Sequence, residues 1–189
     1  MTGRALIFNI KDYMADFWTS LEKTLSFEGG VSDNPNDKGG YTYKGITVKT
    51  FRKYYGTDKW RDDLRAITDE QLEHIYRDGY WDRIMGDRIN SQSVAEFLFD
   101  FAVNSGAKEA VRNLQLILGT SADGIMGEIT LGALNGADAR ETFEELKTAR
   151  KRHYKAIAAI RPKNQVFLKG WLKRADSFKF HDDAGNKKP

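Results

Sequence analysis

The chain has 189 residues, 40% of them hydrophobic, which allows one sizeable core, or one core with a small appended lobe, and leaves no room for a third unit. Thirty Lys and Arg against 27 Asp and Glu give a net charge of +3, too small and too evenly mixed to argue for nucleic-acid binding. The chain has no cysteine, which excludes disulfides, thiolate metal sites and a cysteine nucleophile; the three histidines, His74, His153 and His181, lie too far apart in sequence for a helical zinc motif, so no metal is expected.

Near the N-terminus, the apolar run Ala5-Leu6-Ile7-Phe8 is interrupted by Asn9, Lys11, Asp12 and Asp16 before it reaches the length of a signal-peptide core. No segment approaches the roughly 20 apolar residues of a membrane helix. The expectation is a soluble chain made in the cytoplasm without membrane insertion, with a mixed-charge surface that makes a monomer the default.

A helical pattern starts near Tyr13 and places Phe17, Leu21, Leu25 and Glu28 on one face, with Gly29-Gly30 suited to closing the helix. Asn34-Pro35-Asn36-Asp37 and Lys38-Gly39-Gly40 are dense turn signals, residues 41–46 read as a short strand or hairpin, and Thr47 is a helix cap. Thr68 opens a capping box before Leu72, Ile75 and Tyr76, and Asp78-Gly79 is expected to end that helix just before Tyr80-Trp81. A second capping box begins at Ser93, and the helix that follows is apolar on nearly every side, as a central buried helix should be. Helices are predicted over 108–118, near Thr130 and over 139–160, the last stopped by Arg161-Pro162. A last helical piece contains Val166, Phe167, Trp171 and Leu172, and residues 179–189 form a polar, mobile tail. The reading is mainly α with one small β-hairpin or loop element.

Glycoside hydrolysis needs a proton donor for the bridging oxygen and a carboxylate that stabilises charge on the sugar ring or positions water. Glu28, at the end of an apolar helical face and near the negative end of the helix dipole, suits the first role, because both surroundings favour the protonated acid. Asp37, in an open polar turn, should stay ionised, and the Thr42 hydroxyl can hold a water or the carboxylate. Spacing alone leaves a plainer reading open. A Glu before a Gly-Gly stop is often a solvated last-turn residue, and an Asp after Asn-Pro-Asn is often a turn former.

The stretch Glu28-Gly29-Gly30-Val31, followed by Asp37-Lys38-Gly39-Gly40-Tyr41-Thr42-Tyr43-Lys44-Gly45-Ile46-Thr47, resembles the N-acetylmuramidases of glycoside hydrolase family 108. These are lysozyme-like phage endolysins and bacterial relatives. Their mark is Glu-Gly-Gly-Tyr and then Asp-x-Gly-Gly-x-Thr-x-x-Gly-Ile-Thr; Val31 stands here in place of the tyrosine. A looser similarity links Glu28, Asp37 and Thr42 to the Glu, Asp and Thr triad of phage-type lysozymes, with four residues between Asp37 and Thr42 where the usual pattern has five. The resemblance continues through Tyr80-Trp81-Asp82 and Asp100-Phe101-Ala102-Val103-Asn104. Beyond these, Asp123-Gly124-Ile125-Met126-Gly127 and Gly170-Trp171-Leu172-Lys173-Arg174 are similar to a predicted peptidoglycan-binding region.

The resemblance implies a lysozyme-like helical fold with the β element beside the catalytic helix. It divides the chain into an extension (1–13), a catalytic region (14–106), a peptidoglycan-binding-like helical region on the same core (107–178) and the tail (179–189). The implied activity is cleavage of the β-1,4 bond between N-acetylmuramic acid and N-acetylglucosamine in peptidoglycan glycan strands. Glu28 is the acid, Asp37 and Thr42 assist, and Tyr43, Tyr80, Trp81 and Asn104 are substrate-binding candidates. No metal or organic cofactor is needed. An endolysin of this kind reaches the periplasmic cell wall after release, with a holin as its export partner. Two alternatives stay open: a lytic transglycosylase, which uses Glu28 alone and leaves 1,6-anhydro ends, and a peptidoglycan-binding or secretion-associated module without turnover.

Overall fold

In the computed structural model the described residues are 14–27, 31–32 and 41–181, with residues 31 and 32 described for the backbone alone. Glu28, Asp37, the 1–13 extension and residues 182–189 lie outside them.

Helix α1 (Phe17–Leu25) starts where the Asp16 carboxylate accepts from the Thr19 amide, 2.8 Å away, and it buries Phe17, Ser20, Leu21 and Thr24. It stops sooner than expected. Ser26 caps it in the right-handed conformation, so the helix does not run on to Glu28.

Strands β1 (Val31–Ser32), β2 (Thr42–Tyr43) and β3 (Ile46–Thr47) form a small antiparallel sheet in that order. The predicted hairpin is β2–β3; β1 was not anticipated. Lys44 (φ 47°) and Gly45 (φ 73°) make the two-residue turn, both in the left-handed region whose twist matches a tight hairpin.

Thr47 caps α2 (Val48–Tyr55) by accepting from the Thr50 amide. A short α3 (Arg61–Arg65) follows, then α4 (Asp69–Tyr76), opened by the Thr68/Gln71 capping box as expected. The helical path does not end at Gly79. It widens into a π turn (Arg77–Trp81) and tightens into two 3-10 turns (Asp82–Ile84 and Gly86–Arg88). Asp78 is held on this turn from both sides: the Tyr54 hydroxyl donates to its carboxylate at 2.5 Å and Arg83 Nε to its carbonyl at 2.9 Å. Burial and the Asp78 carboxylate push the Tyr54 pKa up to about 12, while that same hydrogen bond holds Asp78 below its usual value. Gly86 is required by close approach, since a Cβ there would sit 2.3 Å from the Trp81 ring.

The central helix α5 (Gln92–Ser105) is capped by Ser91, two residues before the expected Ser93. Ser93 lies inside the helix, where its hydroxyl bonds the backbone of His181. Phe97, Leu98, Phe99 and Phe101 are fully buried, each contributing about 1.5–3 kcal/mol by burial. Around α5 pack α1, α6 (Ala107–Leu118) and α8 (Ala139–Ile160), with α7 (Glu128–Gly136) and α9 (Gln165–Ser177) outside them. One hydrophobic cluster runs from Ala15 to Phe178.

The 119–127 loop is a turn organised by the buried Gln115. Its amide donates to Asp123, the Ile125 carbonyl and Thr130, and its oxygen accepts from the Gly124 amide. Of the residues expected in the tail, Phe180 packs on Phe143 beneath Arg140 and His181 is held by Ser93, while 182–189 lie outside the described residues. Among the described residues no helix is long and apolar enough to cross a membrane.

Candidate active site

Helices α1 and α5 run side by side in the same direction. Asp16, before α1, accepts from Gln92 at the start of α5, while Arg174 bridges Asp100, in the second half of α5, to the Thr24 carbonyl near the end of α1. Phe27 and the Asn104–Ser105 end of α5 therefore face the same end of the molecule.

A buried ion cluster sets this arrangement. Asp100 is fully buried and accepts from Arg150 at 2.5 Å and from Arg174 at 2.6 Å. The Arg150 guanidinium lies among the rings of Phe97, Phe101 and Tyr154, and its Nε donates to the Tyr154 hydroxyl. Arg174 covers the Phe27 ring at 5.0 Å; Phe27 also packs against Phe178 and under Lys23. Phe27 immediately precedes Glu28, so the cluster fixes the chain where the candidate acid begins. Asp100 and Arg174 both fall within the family-like motifs, which do not by themselves disclose this role. The available signal was an Asp at the apolar centre of a helix, a position where a charge persists only with partners.

The hairpin occupies the neighbouring face. Thr42 lies in β2 opposite Ser32 on one side and Thr47 on the other. Tyr43 is half-buried against the core, with the Lys44 ammonium 5.9 Å from its ring centre. The Tyr76 hydroxyl donates to the Lys44 carbonyl at 2.9 Å, and the Tyr76 ring lies 5.9 Å from that of Tyr80. Tyr76, which was not among the candidates, thus ties the hairpin to Tyr80.

Trp81 must be corrected. It is 0% exposed, its ring faces are taken by Phe17, Phe99 and the glycine gap at Gly86, and its indole N–H donates to Asp87 at 2.7 Å. No face remains to stack on a sugar, so Trp81 is a core residue. Asn104 is exposed, and its amide donates to the Asp100 carbonyl one turn back. It borders a cavity of about 360 Å³ shared with Glu109, His153, Tyr154 and Trp171, a cavity that Thr42, Tyr43 and Tyr80 do not line. Glu28 and Asp37 lie outside the described residues. Among those described, no three His, Asp or Glu side chains converge as metal ligands.

Burial holds the pKa of His153 below its ordinary value, with Arg150 acting in the same direction and Glu109, 3.3 Å away, opposing. The folded protein therefore binds its proton less readily than the unfolded chain. The His153 contribution to stability is complete above about pH 6.5 and is lost as pH falls below that value. Urea midpoints at pH 7.5 and 5.5 should differ by less in His153→Gln than in wild type; an equal drop would show that the histidine carries none of the acid sensitivity.

Two family descriptions match the chain: "Glycosyl hydrolase 108" over residues 21–106 and "Predicted Peptidoglycan domain" over residues 109–176. Among solved structures, that of Brucella abortus SagA superimposes with a TM-score of 0.69 at 32% identity, covering 86% of this chain and 94% of SagA. Comparison with curated proteins finds no match. With two family regions in sequence and a lysozyme-like fold shared with SagA over most of both chains, the protein belongs to the glycosyl hydrolase 108 family and is a peptidoglycan hydrolase.

Proposed function

We propose that the protein is an N-acetylmuramidase that hydrolyses the β-1,4 bond between N-acetylmuramic acid and N-acetylglucosamine. Glu28 donates the proton to the bridging oxygen, Asp37 stabilises positive charge on the ring or positions water, and Thr42 holds that water. Tyr43 and Tyr80 are the aromatic candidates for sugar contact, and Asn104 is a donor to an N-acetyl group at the far edge.

The observation that carries this reading is the strand register. Ser32 pairs with Thr42, which makes the segment containing Asp37 the link between β1 and β2. Glu28 is joined directly to the anchored Phe27 and stands three residues before Val31, about 10 Å of chain at most. Val31 in turn pairs with Tyr43. The three candidate groups therefore belong to one short stretch whose two ends are held together by the sheet and by the Phe27 anchor. We propose further that the enzyme acts as a monomer on the cell wall after release from the cytoplasm, with a holin as the export route.

Digestion of purified peptidoglycan followed by mass spectrometry tests the reaction. New reducing N-acetylmuramic acid ends are expected. Reducing N-acetylglucosamine ends would assign the other glycosidic bond, and 1,6-anhydro ends would replace hydrolysis by transglycosylation.

A further inference from the structure

Beside the hairpin, α2 and the segment before α3 enclose a cavity of about 560 Å³. Its walls carry Lys49, Arg52, Lys53 and Arg61 together with Tyr41 and Trp60, and no Asp or Glu side chain among the described residues. We propose that this groove binds the carboxylates of peptidoglycan's peptide stems, a second substrate contact that Thr42, Tyr43 and Tyr80 do not line. The inference rests on the peptidoglycan reading above and names a part of that substrate the reading leaves unassigned.

Three of the cations crowd one another. Lys49, Arg52 and Lys53 stand at i, i+3 and i+4 of α2 and share one face, where like charges repel. Lys49 also sits in the first turn, at the positive end of the helix dipole, where an acid is the favoured residue. Lys49 and Lys53 are exposed, and Lys49 has no ion pair among the described residues. A concave wall lined by one sign of charge concentrates the field on an incoming anion.

The donors are also prepared. Arg52 is stacked 4.4 Å from the ring centre of Trp60, and its Nε is committed to the Lys59 carbonyl at 2.6 Å. That fixes the guanidinium plane while its terminal nitrogens make no hydrogen bond among the described residues, and a held planar fork is what a carboxylate pairs with best. Tyr41 is only 8% exposed, and its hydroxyl finds no hydrogen-bond partner among the described residues.

The lining also distinguishes a peptide from a phosphate polymer. Trp60 is 53% exposed and lies beside Val48 and Tyr41, which gives apolar surface between the cations. A short peptide that alternates carboxylates with methyl and methylene groups complements both parts, whereas a polyol phosphate uses only the charges. Peptide stems hang from alternate sugars of the strand the enzyme cuts, so one substrate can engage the groove and the cleavage site together.

Titration calorimetry tests the proposal with the disaccharide N-acetylglucosaminyl-N-acetylmuramic acid, with and without its tetrapeptide. Neither ligand contains the bond that a muramidase cuts. The wild type should bind the peptide-bearing ligand at least tenfold more tightly, and Lys49→Gln/Lys53→Gln, at two exposed positions, should remove most of that preference while near-UV circular dichroism stays unchanged. Equal affinity for the two ligands, a preference retained in the double variant, or tighter binding of poly(glycerol phosphate) would each overturn it. Cleavage of intact sacculi, measured alongside, separates the two ideas. Cleavage without stem preference removes this inference alone, and stem preference without cleavage removes the muramidase reading alone.

Discussion

Glu28→Gln is expected to lower the release of reducing ends from peptidoglycan by about 10²- to 10⁴-fold, the range contributed by a positioned general acid. The substitution keeps the shape of the side chain and removes only the transferable proton, so thermal unfolding should be unchanged. The chain is anchored on either side of Glu28. Phe27 is held by the Arg174 guanidinium, Phe178 and Lys23. Val31 is fixed by its register with Tyr43. The helix dipole matters less than the sequence suggested, because α1 ends at Leu25 and the dipole's influence fades beyond the last turn. Asp37→Asn separates the hydrolytic and transglycosylating routes: a hydrolase that needs a second carboxylate loses most of its rate, whereas a single-acid mechanism keeps it. A Glu28→Gln variant that clears cell-wall suspensions as fast as wild type would remove Glu28 as the acid.

Asp100→Ala is expected to cost about 3–5 kcal/mol, the usual penalty for removing one partner of a buried pair, and to lower Tm by roughly 6–20 °C for a chain of this size. The loss is large because the neighbours cannot be rescued by water. Arg150 is fully buried among aromatic rings, and without Asp100 it keeps its charge with only the Tyr154 hydroxyl as a side-chain hydrogen-bond partner among the described residues. Arg174 would lose its ion pair and with it the hold on Phe27, so activity per folded molecule should also fall. The exposed pair between Lys151 and Asp176, 2.7 Å apart, provides the contrast. Lys151→Gln should change stability by about 0–1 kcal/mol, since surface charges are well solvated when apart. Denaturant titrations of both variants check the difference; similar effects would mean that the cluster is no more than a surface-strength pair.

Locally determined elements were legible. The 139–160 helix has its observed bounds because Asp138 caps it and Pro162 follows it, and both are near-neighbour effects. The caps at Thr47 and Thr68 and the Lys44-Gly45 hairpin turn are of the same kind: a hydroxyl reaches an amide three residues ahead, or a two-residue turn takes the left-handed conformation. The family motif around Glu28 is likewise carried by contiguous residues.

Three departures from the local pattern turn mainly on partners distant in sequence. Asp78-Gly79 has the look of a helix stop, yet Tyr54 and Arg83 hold Asp78 while Trp81 is drawn into the core, and together these keep the chain coiled as a π turn. Tyr80 and Trp81 are adjacent, and only packing decides that the first stays half-buried beside Tyr76 while the second is enclosed by Phe17, Phe99 and Gly86. Ser93 has capping-box spacing, but its hydroxyl is used by His181, 88 residues away, and Ser91 takes the cap.

The sequence by itself thus determined the helical class, the hairpin and the family, because capping, turn geometry and contiguous motifs act within a few residues. The tertiary structure decided which aromatic faces remain open, that Asp100 joins α1, α5, α8 and α9, and that the α2 cations line a cavity. Burial and charge pairing depend on which distant segments meet, and no local pattern of residue types encodes that.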